Sequence, residues 1–596
     1  MEWITGGRGA RAPVDGARVG PGWDAWAIGT RWRSVEADGA RLVAVGECTA
    51  DEYELARAAV MFARGDVRAP MCLSGSMWVL ARHGRETWVY GDLAGVRPLY
   101  VAETPRGVVW ASRMTPLAAL VGAAVDWAAL AAEIAVGGVD STDRPGFVGV
   151  RQVRPGRALV VDDDGSWTEH DVRAPRANLP LAETAALLRP ALTGAVRRRV
   201  GDDASPAAWS ADVSGGLDSG TLGALAADKD HGTDVLGCVY HDAHTSVADL
   251  DGARGIADLF PRLDLRITVG DAGTAHYTGL DGSLPIPRTD RPASSISMRA
   301  MDRAYLAPAA DAHRTDHLVG VGGDEVLDAP SAWWADYLRT HGSRSARQHI
   351  RARARLAKTA PGPIIAAVAE LAATKRERGL LDAANDLERG IAGAAPAGLA
   401  WAWQTSAAPW LSPDGRAAVA DLLRSEARVD EDGSPGAGAQ DVVIRSGGRA
   451  VAALGDLHSE FGLRVHAPFL DNQVVTAALS APGWVHRDPH VFKPVLGAAM
   501  RGLVPDLVLN RRSKGTFTPT MLLGIRRNLS TLRALLFDGA LARSGLFDTR
   551  AVITALDSAG DGNARAPLAA LNQAIAIEVW AAGLDTTASA WWAVPA

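Results

Sequence analysis

From about residue 180 onward, strand-length apolar runs alternate with helix-length runs, and this alternation limits the possible fold more than any other feature of the chain. Residues 181–200 read as a helix, 207–213 as a strand, 219–227 as a helix, 234–240 as a strand, 250–259 as a helix and 265–269 as a strand. A helix over 298–312 then leads into a strand over 316–321. Strands separated by whole helices pair in parallel, because each crossover helix carries the chain back to the same edge of the sheet. The expectation is an α/β domain with a parallel sheet, which binds ligands at the carboxyl ends of its strands. Residues 345–430 are rich in Ala and Arg and read as helical additions, with loops such as 430–435, and no internal repeat is present.

Two glycine-rich segments fall at such strand ends. Ser214-Gly215-Gly216-Leu217-Asp218-Ser219 follows one strand and opens a helix. Its glycines allow a tight turn with free amide N–H groups, the helix start adds its positive dipole end, and the Ser214 and Ser219 hydroxyls add donors. Asp218 would repel phosphate unless a cation stood between them, so the loop implies magnesium. A strand–helix turn without a ligand is the plainer reading, but sequence, preceding strand and following helix coincide here. No Gly-Lys-Ser/Thr follows, which excludes a Walker loop, and no Gly-x-Gly-x-x-Gly is present, which excludes a dinucleotide fingerprint. The second segment, Gly320-Val321-Gly322-Gly323-Asp324-Glu325, repeats the combination of backbone donors and a carboxylate. Asp218 and Asp324 are expected to converge on one metal; a capped helix start is the alternative for Asp324-Glu325.

The first 175 residues have a different character. Short apolar runs (77–80, 87–90, 98–101, 107–110 and 158–161) are broken by Gly, Asp and Arg, and 162–166 reads as a hairpin turn. A strand-rich domain over 1–175, a linker near 174–178 and a second domain over 190–596 follow. The 596 residues carry 62 Lys plus Arg against 68 Asp plus Glu, so no basic field for nucleic acid exists. Cys48, Cys72 and Cys238 have no metal or redox spacing. The N-terminus lacks the apolar core of a secretory signal, and no apolar run reaches membrane-spanning length. These features predict a cytoplasmic protein without membrane or nucleic-acid partners.

The two glycine loops together resemble the synthetase domain of glutamine-dependent asparagine synthetase and its relatives. The similarity continues through Ala467-Pro468-Phe469-Leu470-Asp471, Lys493-Pro494-Val495-Leu496 and Arg512-Ser513-Lys514-Gly515-Thr516-Phe517. The N-terminal part resembles the glutaminase domain of the same family, an Ntn-type α+β sandwich, through Gly91-Asp92-Leu93-Ala94-Gly95-Val96-Arg97-Pro98-Leu99-Tyr100 and Trp110-Ala111-Ser112. A working glutaminase of this class needs Cys directly after the initiator Met, and here Glu2 stands there. The resemblance therefore implies a degenerate amidotransferase domain and an amine supplied by the substrate. Val321 occupies the place of a Tyr in β-lactam-forming relatives and of a Glu in asparagine synthetase, and Arg464 and His466 stand where Glu and Arg usually flank the Pro-Phe-Leu-Asp motif.

The stretches 466–475, 492–496, 499–505, 524–527 and 545–548 look like the lasso peptide cyclases of actinobacteria. That resemblance implies ATP and Mg²⁺ as cofactors and a ribosomal precursor peptide as substrate. It further implies a leader-binding protein and a leader peptidase as partners. The carboxylate of an Asp or Glu side chain in the core peptide would be adenylated, then captured by the peptide's N-terminal amine. Lys514 aligns with the family's catalytic lysine, Lys493 is a candidate phosphate contact, and Glu325 and His466 are candidates for the general base or a substrate contact. A small-molecule amide ligase and a non-enzymatic scaffold are the alternatives, opposed by Glu2 and Val321 in the first case and by intact Asp218, Asp324 and Lys514 in the second. Of the 19 tryptophans, Trp333, Trp334, Trp401, Trp403 and Trp410 lie in the helical region and suit either a core or a peptide groove.

Overall fold

The computed structural model describes residues 2–8, 10–20, 23–140, 144–201, 208–230, 232–393, 396–429, 433–488, 490–511 and 515–593. Lys514, Arg512 and Ser513 of the last motif, and residues 430–432 of the predicted loop, lie outside them. The protein is a mixed α/β structure.

The N-terminal half contains two six-stranded antiparallel sheets. One runs, edge to edge, through Val150–Val153, Leu99–Thr104, Gly107–Ala111, Trp3–Gly6, Ala25–Ile28 and Ala17–Arg18. The other runs through Trp167–Asp171, Arg157–Val161, Glu86–Tyr90, Gly75–His83, Ala40–Cys48 and Trp32–Ala37. Alternation along a strand explains how they stack. On Ala40–Cys48, Val43 and Val45 face the opposing sheet and join Ile4, Trp110 and Leu159, whereas Leu42 and Ala44 face the helix Glu52–Ala63. Helices Met114–Val121 and Trp127–Ala135 cover the outer face of the first sheet, which completes a helix–sheet–sheet–helix sandwich.

A helix, α1 (Leu181–Val200), leads into the C-terminal half. Its sheet has five parallel strands: β1 (Trp209–Asp212), β2 (Val235–His241), β3 (Leu263–Val269), β4 (Asp316–Leu318) and β5 (Arg464–His466), in the order β3-β2-β1-β4-β5. The crossovers are α2 (Leu217–Ala226), α3 (Val247–Leu259) and α4 (Arg299–Asp311), with α5 (Gly323–Leu327) after β4. The last strand predicted before the insertion ends at Leu318, short of 321, and Gly322, at φ +100°, turns the chain soon after it. Helices fill most of 333–458, ending with α6 (Pro435–His458), and α7 (Pro494–Met500) returns to the sheet. No helix among the described residues is long and apolar enough to cross a membrane.

The two halves are continuous in packing. Trp3, Leu117 and Leu130 share one core with Leu423, Leu571, Trp580 and Trp592. The Trp3 ring meets Trp591 and Trp592 edge-on at 6.2 and 5.7 Å, and Trp592 Nε1 donates to the Pro116 carbonyl at 2.9 Å. Of the tryptophans in the helical region, Trp333, Trp334 and Trp410 are core residues, while Trp401 and Trp403 are half-buried and line a cavity of about 560 Å³.

Candidate active site

The loops after β1 and β4 lie side by side, and glycines set how closely they approach. Gly215 has φ +66°, and a Cβ there would fall 2.3 Å from the Asp249 carbonyl oxygen of α3. Gly320 leaves room for Ser219 N, 3.0 Å from where its Cβ would be, and Gly323 for the Asp218 carboxyl carbon at 2.4 Å. Gly322, at φ +100°, lies against Leu470 of the Pro-Phe-Leu-Asp motif. Ser214 Oγ and Ser219 Oγ are 2.8 Å apart and close the first loop, while Arg511 donates to the Gly215 carbonyl and pairs with Asp249.

Beneath the loops, a polar strut ties β1 to β4. Ser210 Oγ lies 2.8 Å from His317 Nδ1, and His317 Nε2 lies 2.8 Å from Asp212 Oδ1. Ser210 and His317 are fully buried, so this Ser-His-Asp set fixes the spacing of two strand ends; it offers no nucleophile to solvent.

Asp218 and Asp324 converge on one point, and the ammonium of Lys493 occupies it. Lys493 Nζ lies 2.5 and 2.6 Å from the two Asp218 oxygens and 2.8 Å from Asp324 Oδ1. Lys493 takes a left-handed backbone (φ +47°) just before α7, an uncommon conformation for a residue with a side chain, and is almost wholly buried. Asp324 is 41% exposed while the lysine side chain is 0% exposed, so the open approach to the pair is from the Asp324 side. Two carboxylates gathered on one cation, beside glycine-loop amides, form a donor set that fits a magnesium ion, which usually takes one or two carboxylates and fills its remaining positions with water and phosphate oxygens. Among the described residues no cluster of three or more His, Cys, Asp or Glu forms a closed all-protein metal cage.

The two candidate bases are engaged elsewhere. Glu325 Oε2 accepts from Gly322 N at 2.9 Å, which caps α5, and its chain packs on Gly447 of α6. The His466 side chain turns away from the glycine loops. Its Nδ1 lies 2.7 Å from Glu47 Oε2 of the N-terminal half and its Nε2 lies 2.8 Å from Asp316 Oδ1. Burial alone would lower its proton affinity, yet Glu47 and Asp316 outweigh burial and raise it. With both ring nitrogens on carboxylates, His466 has none free to take a proton from an amine. Lys514 lies outside the described residues.

Sequence reasoning missed the partners of these groups. Arg199 donates to Asp471 at 2.6 and 2.8 Å and to Glu47 at 3.0 Å, and Arg464 donates to Asp316 at 2.9 and 3.0 Å. Burial would raise the Glu47 carboxyl, but Arg199 and His466 hold it well below the usual range; the same opposition, with His466 and Arg464, brings Asp316 to about 2. No spacing in the chain signals pairs more than a hundred residues apart.

The family described as asparagine synthase matches residues 187–582. No curated protein matches. Among solved structures, a glutamine phosphoribosylpyrophosphate amidotransferase from B. subtilis complexed with ADP and GMP is 12% identical, with 56% of this chain and 76% of that chain covered and a TM-score of 0.19. A structure titled as the allosteric regulatory enzyme of purine biosynthesis is 12% identical over 53% of this chain and 73% of its own, at a TM-score of 0.18.

Proposed function

The chain belongs to the asparagine synthase family, and from that premise we propose that it is a lasso peptide cyclase, joining the N-terminal amine of a precursor's core peptide to an Asp or Glu side chain of the same peptide. The family makes it an ATP-dependent carbon–nitrogen ligase. The observation that carries the narrower reading is the cavity of about 1130 Å³ between the two halves. Glu2 lines it in the place of the nucleophilic cysteine, and burial pushes up the thiol of Cys48, the cysteine that lines the same cavity. A thiol held protonated is a poor nucleophile, so glutamine is not the nitrogen source and the amine arrives on the substrate.

In this reading the peptide carboxylate attacks the α-phosphorus of ATP, and pyrophosphate leaves. Ser214, Gly215, Gly216 and Ser219, with Gly320, Gly322 and Gly323, hold the phosphates through backbone amides and hydroxyls. Asp218 and Asp324 would hold the magnesium ion, which when bound neutralises pyrophosphate charge. Lys493 positions the two carboxylates before the nucleotide arrives. The amine then attacks the acyl carbon and AMP leaves, with Lys514 assigned by resemblance to stabilise charge on the acyl centre. Holding both peptide ends in one site supplies most of the rate advantage, because ring closure of a free peptide rarely brings them together.

The test is mass spectrometry of a leader-free core peptide incubated with the protein, ATP and magnesium. One water should be lost per AMP formed. AMP without peptide dehydration would redirect the reading to another acceptor; neither product, from folded protein supplied with its partner proteins, would reject it.

A further inference from the structure

Between Asp336 and Glu370 the chain carries seven Lys and Arg residues and no acid, within a protein of net charge −6. Six of them, Arg344, Arg347, Arg351, Arg353, Arg355 and Lys358, are exposed. They follow the break at Gly342 in the helix Trp333–Leu356, with Lys358 just past its end. Spacings of three and four residues place Arg344, Arg347, Arg351 and Arg355 along one face. No ion pair among the described residues involves any of these four. Like charges at this spacing repel one another and weaken a helix. The helix is held by another face, where Ala346 and Ile350 share a core with Ala367 and Val368 of the helix Pro361–Ala373.

This basic stretch has a fixed place beside the candidate active site. Trp484 packs edge-on against Tyr337 and His341 at 5.7 and 5.3 Å. Three residues on, Arg487 pairs with Asp328 at 2.7 Å and donates to the Ala329 carbonyl at 2.8 Å. Arg353 stands close enough to oppose the charge of Arg487. The stretch thus adjoins residues 484–493, at whose end Lys493 holds the two aspartates.

An unpaired row of guanidinium groups calls for an anionic partner, and the surroundings narrow its kind. The apolar side of the helix is buried against its neighbour, so it is not available to a bilayer. Tyr337, the single Phe, Tyr or Trp in 337–369, is buried, so nucleic-acid bases find no exposed ring to stack on. The net negative charge of the whole chain repels a long polyanion. From Arg344 to Arg355 the row spans about 16 Å along the helix, the length of about five extended residues. Forked guanidinium groups suit carboxylates spaced along such a segment.

We propose that this face docks a short acidic stretch of another polypeptide, with Arg344, Arg347, Arg351 and Arg355 pairing its carboxylates. The docked chain lies beside the segment that leads to Lys493. The proposal does not depend on which amide the protein forms.

Fluorescence anisotropy with the full chain tests this. The probes are a fluorescein-labelled peptide of alternating Glu and Ser, its Gln–Ser counterpart, an oligouridine of the same charge and phosphatidylserine vesicles. Saturable binding of the Glu–Ser peptide is expected, weakening with added salt, with none of the Gln–Ser peptide. Arg347→Glu combined with Arg351→Glu should weaken it at least tenfold with unchanged far-UV circular dichroism. Arg266→Glu combined with Arg378→Glu, an equal change of net charge at exposed positions elsewhere, should leave it within twofold. Arg347→Gln combined with Arg351→Gln relieves repulsion inside the helix, and decides the matter if the charge reversal unfolds the protein; it should weaken binding at least threefold. No saturable binding of the Glu–Ser peptide, tighter binding of the oligouridine or the vesicles, or an affinity indifferent to the changes at 347 and 351 would overturn the proposal.

Discussion

Glu47→Gln isolates the charge that joins the two halves. Arg199 Nε and His466 Nδ1 both meet the same oxygen, Glu47 Oε2, at 3.0 and 2.7 Å. An amide oxygen can take that place, so the substitution keeps the geometry and removes the charge. A hydrogen bond to a charged group contributes about 1.5–3 kcal/mol and a neutral one about 0.5–1.5 kcal/mol, so two such bonds predict a loss of about 2 kcal/mol. The pH dependence is the sharper test. The Glu47 carboxyl is held below its ordinary 4.5, so its contribution is present above that value and lost as pH falls through the folded one. His466 is raised above 6.5, so its contribution is complete below 6.5 and lost as pH rises through the folded value. Both act in full between about pH 4.5 and 6.5. The first thermal unfolding midpoint, measured at constant ionic strength from pH 5 to 9, should fall with alkaline pH in the wild type and fall less in Glu47→Gln. The two should therefore differ most near pH 6. An equal difference at pH 6 and pH 9 would refute the coupling.

Gly323→Ala places a Cβ 2.4 Å from the Asp218 carboxyl carbon, a conflict of about 1–3 kcal/mol that the loop relieves by moving Asp218; AMP formation should fall at least tenfold while circular dichroism is retained. Lys514→Ala should abolish cyclisation while nucleotide binding, measured by fluorescence titration, persists; near-normal turnover would remove that lysine from the reaction. Trp401→Ala removes an indole that lines the 560 Å³ cavity and donates to the Thr374 carbonyl at 2.9 Å. If that cavity receives peptide, the Michaelis constant for peptide should rise more than that for ATP, and equal changes would mean plain packing.

What the sequence made legible was local. The alternation of strands and helices yielded the parallel sheet, because each crossover is encoded in one contiguous stretch. Both glycine loops were legible for the same reason: strand, glycines, carboxylate and helix start are adjacent. The boundaries moved where long-range contacts act, as at β4, which ends at Leu318 once the glycines of its loop pack on Asp218 and Leu470. His466 reads as a candidate base or substrate contact from its neighbours in sequence, the Pro-Phe-Leu-Asp motif, which pack against the second glycine loop. Its partner Glu47, 419 positions away on a strand of the other half, withdraws it. Lys493 likewise reads as a phosphate contact from its motif, and only the fold brings it within 2.8 Å of both aspartates.

The same contacts tie the N-terminal half to the C-terminal one. Arg199 and His466 belong to the synthetase half, are almost wholly buried, and share Glu47 as a counter-charge. Without that half, Arg199 would retain Asp471 and His466 would retain Asp316, but both would lose one charge partner and their shielding from water. Asp471 follows Leu470, the residue packed on Gly322, and Asp316 begins the strand that ends in the second phosphate loop. Trp3 and Pro116 likewise anchor Trp592 near the far end of the chain. The sandwich thus serves as a wall of the C-terminal half, and its loss would unseat the charges that brace the strand leading into the second glycine loop.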